Sequence, residues 1–163
     1  MKLVVGLGNP GRRYTGTRHN VGYRVLEELA RRSDSAATTS KFEADVVEMV
    51  IGSEPTMLVA PRTWMNHSGR SVGQFVRFYK LPLEDLLVIC DDINLPLSRL
   101  RLRAAGSSGG QKGLADIIRE LGSEQFPRLR IGIDPPPDHV DASDYVLGRF
   151  RPGERERVEA AVR

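Results

Sequence analysis

Short apolar runs alternate along this chain with stretches in which apolar residues recur every three or four positions. Such runs are typical of buried strands, and the spaced residues are typical of helices with one buried face. Strands are predicted at 2–7, 43–51, 56–60, 86–90, 99–103 and 129–133. Because helices are predicted between most of them, the pattern favours an α/β fold: a three-layer α/β/α sandwich around a twisted, mixed and mostly parallel sheet.

The helices are predicted from apolar residues at helical spacing. The first follows Asn20, a candidate N-cap. The inward-facing residues of the first three helices are Val21, Val25, Leu26, Leu29 and Ala30; Val72, Phe75, Val76 and Tyr79; and Leu114, Ile117, Ile118 and Leu121. A short charged helix is predicted at 154–163. The polar stretch 33–40 predicts a loop, and 52–55 predicts the turn of a hairpin.

Length and composition indicate an ordinary globular protein. The 163 residues, 40% apolar and 28% charged, suit a single domain spanning 1–163. No run approaches the roughly 18 apolar residues of a membrane span, and the N-terminal apolar run is too short for a secretory signal. The single cysteine excludes an internal disulfide. We therefore expect a cytoplasmic protein without a membrane contact.

Positive charge is concentrated in one stretch. The net charge is only +3, but residues 97–113 contain Arg99, Arg101, Arg103 and Lys112 and no acidic residue. Within the predicted strand the arginines alternate with leucines, which places them on one face about 7 Å apart. This basic strip indicates an anionic partner, although a simply solvated strand face would show the same pattern.

His19 is the strongest candidate for catalysis. It lies between a glycine-rich loop and the first helix, and histidine is the side chain best suited to move protons near neutral pH. Asn9 follows the first strand, Asp91 ends the central strand, and Asn66 begins the second helix. Since ligands bind beyond the carboxyl ends of strands in α/β sheets, these four side chains are expected to converge.

Each of these residues also has a structural interpretation. His19 could bond a backbone carbonyl, Asp91 could cap a turn, and Asp92 competes with it for any catalytic role. Asn66 could be the N-cap of its helix, and Asn9 a turn residue before a proline. Together, however, they supply a base, a carboxylate that orients it and two amides, which is what a hydrolytic site requires.

Three other motifs predict different chemistry. Residues 6–11 match G-x-G-x-x-G, but Pro10 and the residues after it delay the helix that a dinucleotide site needs. Residues 106–110 match G-x-S-x-G, which would make Ser108 a nucleophile with Asp134 and His139 following in hydrolase order. Cys90 ends a buried apolar run and is better explained as a core residue. No metal-ligand spacing is found, so catalysis without a metal is expected.

Five motifs in order resemble the bacterial-type peptidyl-tRNA hydrolases. They extend from Lys2 to about Phe150, far more than any single motif would cover. The matching segments are 6–11 with Tyr14, 17–22, 65–69, 91–92 with 95–96, and 109–110 with 113–114; residues 126–133 match as well.

The resemblance implies a monomeric α/β enzyme, without metal or cofactor, that cleaves the ester joining a peptide to the 3′ ribose of tRNA. By position, His19 would activate water and Asp91 would orient His19. The implied substrate-binding residues are Asn9, Tyr14, Met65, Asn66 and Lys112. The implied contacts with tRNA phosphates are Arg101, Arg103 and Arg130.

The sequence departs from the family pattern in three places. Gln111 and Lys112 stand where the family commonly has His-Asn, so Lys112 could instead bind phosphate. Leu97-Ser98 replaces the usual Pro-Gly, and the chain stops at Arg163, which predicts a short last helix. A second hypothesis is an RNA-binding module without catalysis, in which only the basic strip would function and His19 would be structural.

Overall fold

The computed structural model describes residues 1–33 and 37–163. Seven strands form one sheet in the order β2-β3-β4-β1-β5-β7-β6. The strands are β1 (Lys2–Gly6), β2 (Thr38–Lys41), β3 (Ala44–Ile51), β4 (Glu54–Pro61), β5 (Leu86–Asp92), β6 (Leu100–Arg103) and β7 (Arg128–Gly132). The helices are α1 (Val21–Arg31), α2 (Ser68–Tyr79), α3 (Lys112–Leu121), α4 (Ala142–Val146) and α5 (Pro152–Val162).

The middle of the sheet is parallel and its two edges are antiparallel. β4, β1, β5 and β7 run in the same direction, while β2 and β3 pair antiparallel on one side and β6 on the other. The mixed, mostly parallel sheet predicted from the sequence is confirmed. As a result, the carboxyl ends of β1 and β5 lie side by side at one edge.

Helices cover both faces of the sheet, which confirms the three-layer sandwich. Successive residues of β1 explain why its apolar run is continuous: Leu3 and Val5 belong to the core beneath α2 and α3, and Val4 belongs to the core beneath α1 and α5. Among the described residues, no helix has the length and apolar character needed to cross a membrane.

Two elements differ from the predictions. The loop predicted at 33–40 overlaps β2, whose residues Thr38–Lys41 are polar and pair with β3 at the edge of the sheet. Residues 34–36 of that predicted loop lie outside the described residues. α4 was not predicted, because its five residues are too few to show a helical period.

Gly22 explains how the first helix comes to lie against the ends of two strands. A Cβ atom at this position would lie 2.6 Å from the backbone nitrogen of Leu7 and 2.7 Å from the backbone oxygen of Ile89. Only glycine permits this approach. The contact places the turn before α1, which carries His19, next to the last residues of β5, and so brings the predicted site residues together.

Candidate active site

A cavity of about 350 Å³ opens at the carboxyl edge of β1 and β5. It is bounded by the turn before α1, the turn before α2, the N-terminus of α3 and one side of α4. Six of the residues predicted for substrate or catalysis line it: Asn9, His19, Met65, Asn66, Asp91 and Lys112. The convergence expected from chain order is therefore present in the structure.

His19 and Asp91 form a buried pair at the bottom of this cavity. The Nδ1 atom of His19 lies 2.9 Å from each carboxylate oxygen of Asp91, and the two residues are 7% and 2% exposed. An ionised carboxylate only accepts hydrogen bonds, so the geometry favours the tautomer with its proton on Nδ1. The other ring nitrogen, Nε2, is then left as a base.

Asp92 does not compete for this position. Its Oδ1 accepts from the backbone N–H of Asn94 at 2.8 Å, and its Oδ2 lies 3.8 Å from a guanidinium nitrogen of Arg130. Asp92 thus shapes the turn after β5, while Asp91 faces His19. Successive residues of a strand point to opposite faces. The sequence does not show which face of β5 meets His19, so it could not choose between these adjacent carboxylates.

Asn20 holds Asn9 in place. Its Oδ1 accepts from the backbone N–H of Asn9 at 2.8 Å, and its Nδ2 donates to the backbone oxygen of Asn9 at 2.9 Å. Asn20 stands at the N-cap position of α1, but its side chain makes no cap hydrogen bond, so the predicted capping role is wrong. Its amide is used on the neighbouring loop instead.

The side-chain orientation of Asn9 is fixed as well. Its Oδ1 accepts from the backbone N–H of Met65 at 2.7 Å, which leaves the amide nitrogen available as a donor at the cavity that Asn9 lines. Within the part of the chain that the structure describes, no hydrogen bond engages this nitrogen. Asn9 is therefore a preset donor at the wall of the cavity.

The turn before α2 supplies a second amide and an apolar wall. Asn66 is exposed within a 3-10 turn, Met65–His67, and the N-cap position of α2 belongs to His67. Asn66 is thus free of the capping role that its sequence position suggested. Trp64, 53% exposed, lines the cavity beside Met65, and Tyr14 packs edge-on against it with ring centres 5.7 Å apart. Tyr14 itself is not among the residues lining the cavity.

Gln111 was not predicted as a site residue, yet it contacts Asp91 directly. Its Nε2 donates to Oδ1 of Asp91 at 3.0 Å, and its Oε1 accepts from the backbone N–H of Leu114 at 2.7 Å. Lys112 follows as the first residue of α3 and lines the cavity with an exposed side chain. The family resemblance pointed to Lys112 at this wall, but it gave Gln111 no role.

The predicted phosphate contacts divide into two groups. Arg101 and Arg103 are exposed on the edge strand β6. Arg130, opposite Arg101 on β7, is 9% exposed, and its guanidinium donates to the backbone oxygen of Ser107 at 2.8 Å. Arg128 also donates to this oxygen, at 3.1 Å. These two arginines hold the loop that leads to Gln111.

Arg18 connects the turn that carries His19 to distant parts of the chain. Its guanidinium donates to the backbone oxygen of Tyr145 in α4 and to Oε1 of Glu154 in α5, both at 3.1 Å. It also stacks 4.1 Å from the centre of the Tyr145 ring. Contacts with α4 and α5 therefore help to hold the turn that carries His19 in place.

The competing motifs do not form sites. The hydroxyl of Ser108 accepts from the backbone N–H of Gly110, Asp134 accepts from the backbone N–H of Leu97, and His139 is exposed. Burial raises the pKa of the Cys90 thiol to about 12, so it is not a nucleophile at neutral pH. Across 1–33 and 37–163, no group of three or more His, Cys, Asp or Glu side chains could hold a metal ion.

Comparisons with known proteins identify the family to which this chain belongs. The family model described as peptidyl-tRNA hydrolase matches residues 3–163. The chain belongs to the peptidyl-tRNA hydrolase family. It is 56% identical to the peptidyl-tRNA hydrolase of Rhodopirellula baltica over 162 residues, which cover 99% of this chain and 85% of that protein. The chloroplastic peptidyl-tRNA hydrolase of Arabidopsis thaliana is 49% identical over 158 residues, covering 96% of this chain and 55% of that protein.

The fold of solved family members is the same. A crystal structure of the peptidyl-tRNA hydrolase from Acinetobacter baumannii superposes with a TM-score of 0.93 at 35% identity, covering 99% of this chain and 83% of that one. The resemblance inferred from the motifs is confirmed, and with it the class of enzyme. This chain is a hydrolase whose reaction is the hydrolysis of peptidyl-tRNA.

Proposed function

We propose that His19 is the base that activates the attacking water in this peptidyl-tRNA hydrolase. The observation that carries the proposal is the contact between His19 Nδ1 and both oxygens of the Asp91 carboxylate. It leaves Nε2 to take a proton from water at the ester, while Asp91 holds the ring in that tautomer and stabilises the imidazolium that forms. A base positioned in this way contributes roughly 10²–10⁴-fold to the rate.

Asn9 and Asn66 stabilise the substrate in this mechanism. The Asn9 amide nitrogen is oriented by the bond from Met65 to its oxygen, and Asn66 is exposed on the adjacent turn. Both can donate to the ester carbonyl oxygen, whose negative charge grows as water attacks. A donor of this kind is worth on the order of 10²–10³-fold in rate. Met65 and Lys112 complete the substrate site in this proposal, with Tyr14 beside it against Trp64.

The tRNA lies across the basic strip of β6 in this proposal. Arg101 and Arg103 present their guanidinium groups to solvent and can contact phosphates of the acceptor end. Arg130 was also predicted to bind phosphate, but its hydrogen bond to Ser107 suits it better to holding the loop. We infer that the chain acts as a cytoplasmic monomer and recycles tRNA from abandoned translation, without a metal or a cofactor.

The test measures release of free tRNA from an N-blocked aminoacyl-tRNA in the presence of a metal chelator. Wild type should cleave this substrate and spare the unblocked aminoacyl-tRNA. His19→Ala should lose at least about 10²-fold in rate while binding tRNA normally. His139→Ala, which removes an exposed histidine, is the matched control and should keep full activity.

Two outcomes would contradict the proposal. Cleavage by His19→Ala at the wild-type rate would remove His19 as the base. If wild type bound tRNA but released nothing from the blocked substrate, the alternative of an RNA-binding module without catalysis would replace the proposed mechanism.

A further inference from the structure

We propose that Gln111 is a positioning residue that fixes the Asp91 carboxylate against His19. The inference rests on the proposed function of these two residues as orienting carboxylate and base. Gln111 lies outside the motif residues assigned above to catalysis or to substrate. Within the described ranges, Gln111 and His19 are nonetheless the two side chains whose polar atoms contact the Asp91 carboxylate.

The orientation of the Gln111 amide is set by its own backbone surroundings. A main-chain N–H can only donate, so the group 2.7 Å from the Leu114 nitrogen must be the amide oxygen. The NH₂ group then faces Oδ1 of Asp91 at 3.0 Å and the sulfur of Met65 at 3.4 Å. Gln111 is thus a donor of fixed orientation, and Oδ1 of Asp91 accepts its hydrogen bond from one defined direction.

Glutamine is an unexpected residue at the N-cap of α3. N-cap positions favour Asn, Asp, Ser and Thr, whose short side chains reach the first turn of the helix. Gln111 has one more methylene than asparagine and still caps Leu114. The additional length carries its amide nitrogen to Asp91, a reach that the favoured capping residues do not have. The residue type is therefore explained by Asp91 rather than by the helix.

The Asp91 carboxylate needs a second partner to hold its plane. The Nδ1 atom of His19 is equidistant from the two oxygens, so the histidine alone does not select one. Donation from Gln111 to Oδ1 selects the rotation of the carboxylate about its Cβ–Cγ bond. A neutral amide does this without adding a charge to a cavity whose lining already includes Asp92 and Lys112.

The decisive variant is Gln111→Asn, because asparagine keeps the N-cap of α3 but is too short to reach Asp91. We expect kcat to fall about 10- to 100-fold, by analogy with the loss seen when the hydrogen-bond partner that orients a metal-binding side chain is removed. KM for the blocked aminoacyl-tRNA and the thermal midpoint should stay at the wild-type values. Gln111→His, which restores an N–H donor of similar reach, should recover most of the kcat.

A second variant distinguishes the effect of losing the N–H donor from the effect of shortening the side chain. Gln111→Glu has the same length and still offers an oxygen to the Leu114 N–H, but its ionised carboxylate has no N–H for Asp91 and repels it. It should therefore be as slow as Gln111→Asn. If both variants kept the wild-type kcat, or if activity fell only in proportion to a lower thermal midpoint, Gln111 would be a helix cap and nothing more.

A spectroscopic measurement reads the position of Asp91 without any substrate. Nitrogen-15 NMR of the ring of His19 should show one tautomer in wild type, with the proton on Nδ1, and a mixture in Gln111→Asn. A single unchanged tautomer in the variant would overturn the inference. Since this readout needs no turnover, it decides the role of Gln111 even if wild type fails to cleave the blocked substrate and the proposed mechanism is abandoned.

Discussion

The carboxylate of Asp91 offers two oxygens to two donors, the imidazole of His19 and the amide of Gln111. The Gln111 amide also lies 3.4 Å from the sulfur of Met65, which is a weaker acceptor than a carboxylate oxygen. The tautomer of His19 thus depends on a group that has no contact with the reacting atoms. Asp91 and His19 therefore act as one unit, and we expect a change in either residue to reduce the ability of His19 to act as a base.

Asp91→Asn provides the sharpest test of this unit. An amide has one oxygen for two donors, and if its NH₂ turns to His19, the imidazole must carry its proton on Nε2 and can no longer act as a base. We expect the single-turnover cleavage rate to fall on the order of 10³- to 10⁴-fold, as for other histidines that lose an orienting carboxylate. Affinity for tRNA should not change. A rate near wild type would show that the tautomer is fixed by something else.

Residues of the site were predictable where topology alone places them. Asn9, His19, Asn66 and Asp91 follow strands or precede helices, and parallel strands end at a common edge. Asn20 and Gln111 were not predictable in their roles, because both depend on which backbone group lies opposite. Sequence patterns give a side chain its element and its face, and they do not give it a hydrogen-bond partner.

At the scale of elements, the approach of α1 to β1 and β5 decides where His19 stands. Gly22→Ala would place a methyl group 2.6 Å from a backbone nitrogen, and backbone cannot move aside as a side chain can. We expect about 1–3 kcal/mol of destabilisation from overpacking, together with a fall in kcat as the His19 turn moves away from Asp91. Denaturant unfolding and the cleavage assay measure the two effects.

Gly153→Ala is the matched control for this prediction. A Cβ atom at Gly153, in the first turn of α5, meets no atom within 4 Å. Since alanine has the higher helix propensity, this variant should be as stable as wild type or slightly more so, with full activity. If both glycine variants behaved alike, close packing of α1 would not be the cause.

The edge strand β6 carries its own prediction. Each phosphate contact adds about 0.7–0.9 to the magnitude of the slope of log affinity against log salt concentration, so Arg101→Ala combined with Arg103→Ala should reduce that magnitude by about 1.4–1.8. Arg31→Ala removes a positive charge from α1, where Arg31 pairs with Glu28, and should leave the slope unchanged. Equal slopes for all three proteins would remove β6 as the tRNA contact.

The elements that the sequence predicted are those with a complete apolar pattern. The central strands β1 and β5 are buried on both faces and read as continuous apolar runs. β2 is polar because it pairs on one side only, at the edge of the sheet, and α4 is shorter than two helical turns. Neither β2 nor α4 was predicted, for the same physical reason. Each buries too few apolar residues for a strand or helix periodicity to appear in the sequence.

For the molecule as a whole, buried groups that lose a proton predict alkaline instability. Burial raises the pKa of Cys90 to about 12 and also raises the pKa of Tyr23. Both groups are neutral when protonated, and the unfolded chain releases these protons at lower pH than the native protein. Their contribution to stability is therefore complete below about pH 8.5, where the unfolded thiol is still protonated, and decreases as the pH rises above that value.

Urea unfolding at pH 8 to 11 measures this effect. The free energy of unfolding should decrease by up to about 1.4 kcal/mol per pH unit for each group, first as the thiol of the unfolded chain ionises and then as the phenol does. Cys90→Ala should begin from a lower stability at pH 8 and lose less of it by pH 10. An unchanged pH slope in this variant would exclude the thiol as the cause.

The contacts of Arg18 have a consequence for the order in which the enzyme is completed. Its partners Tyr145 and Glu154 follow it by 127 and 136 positions in the chain. A ribosome makes the His19 turn well before these supports, and a domain folds as a unit once it has emerged. The turn that carries His19 therefore cannot acquire these contacts until the ribosome has made α4 and the start of α5.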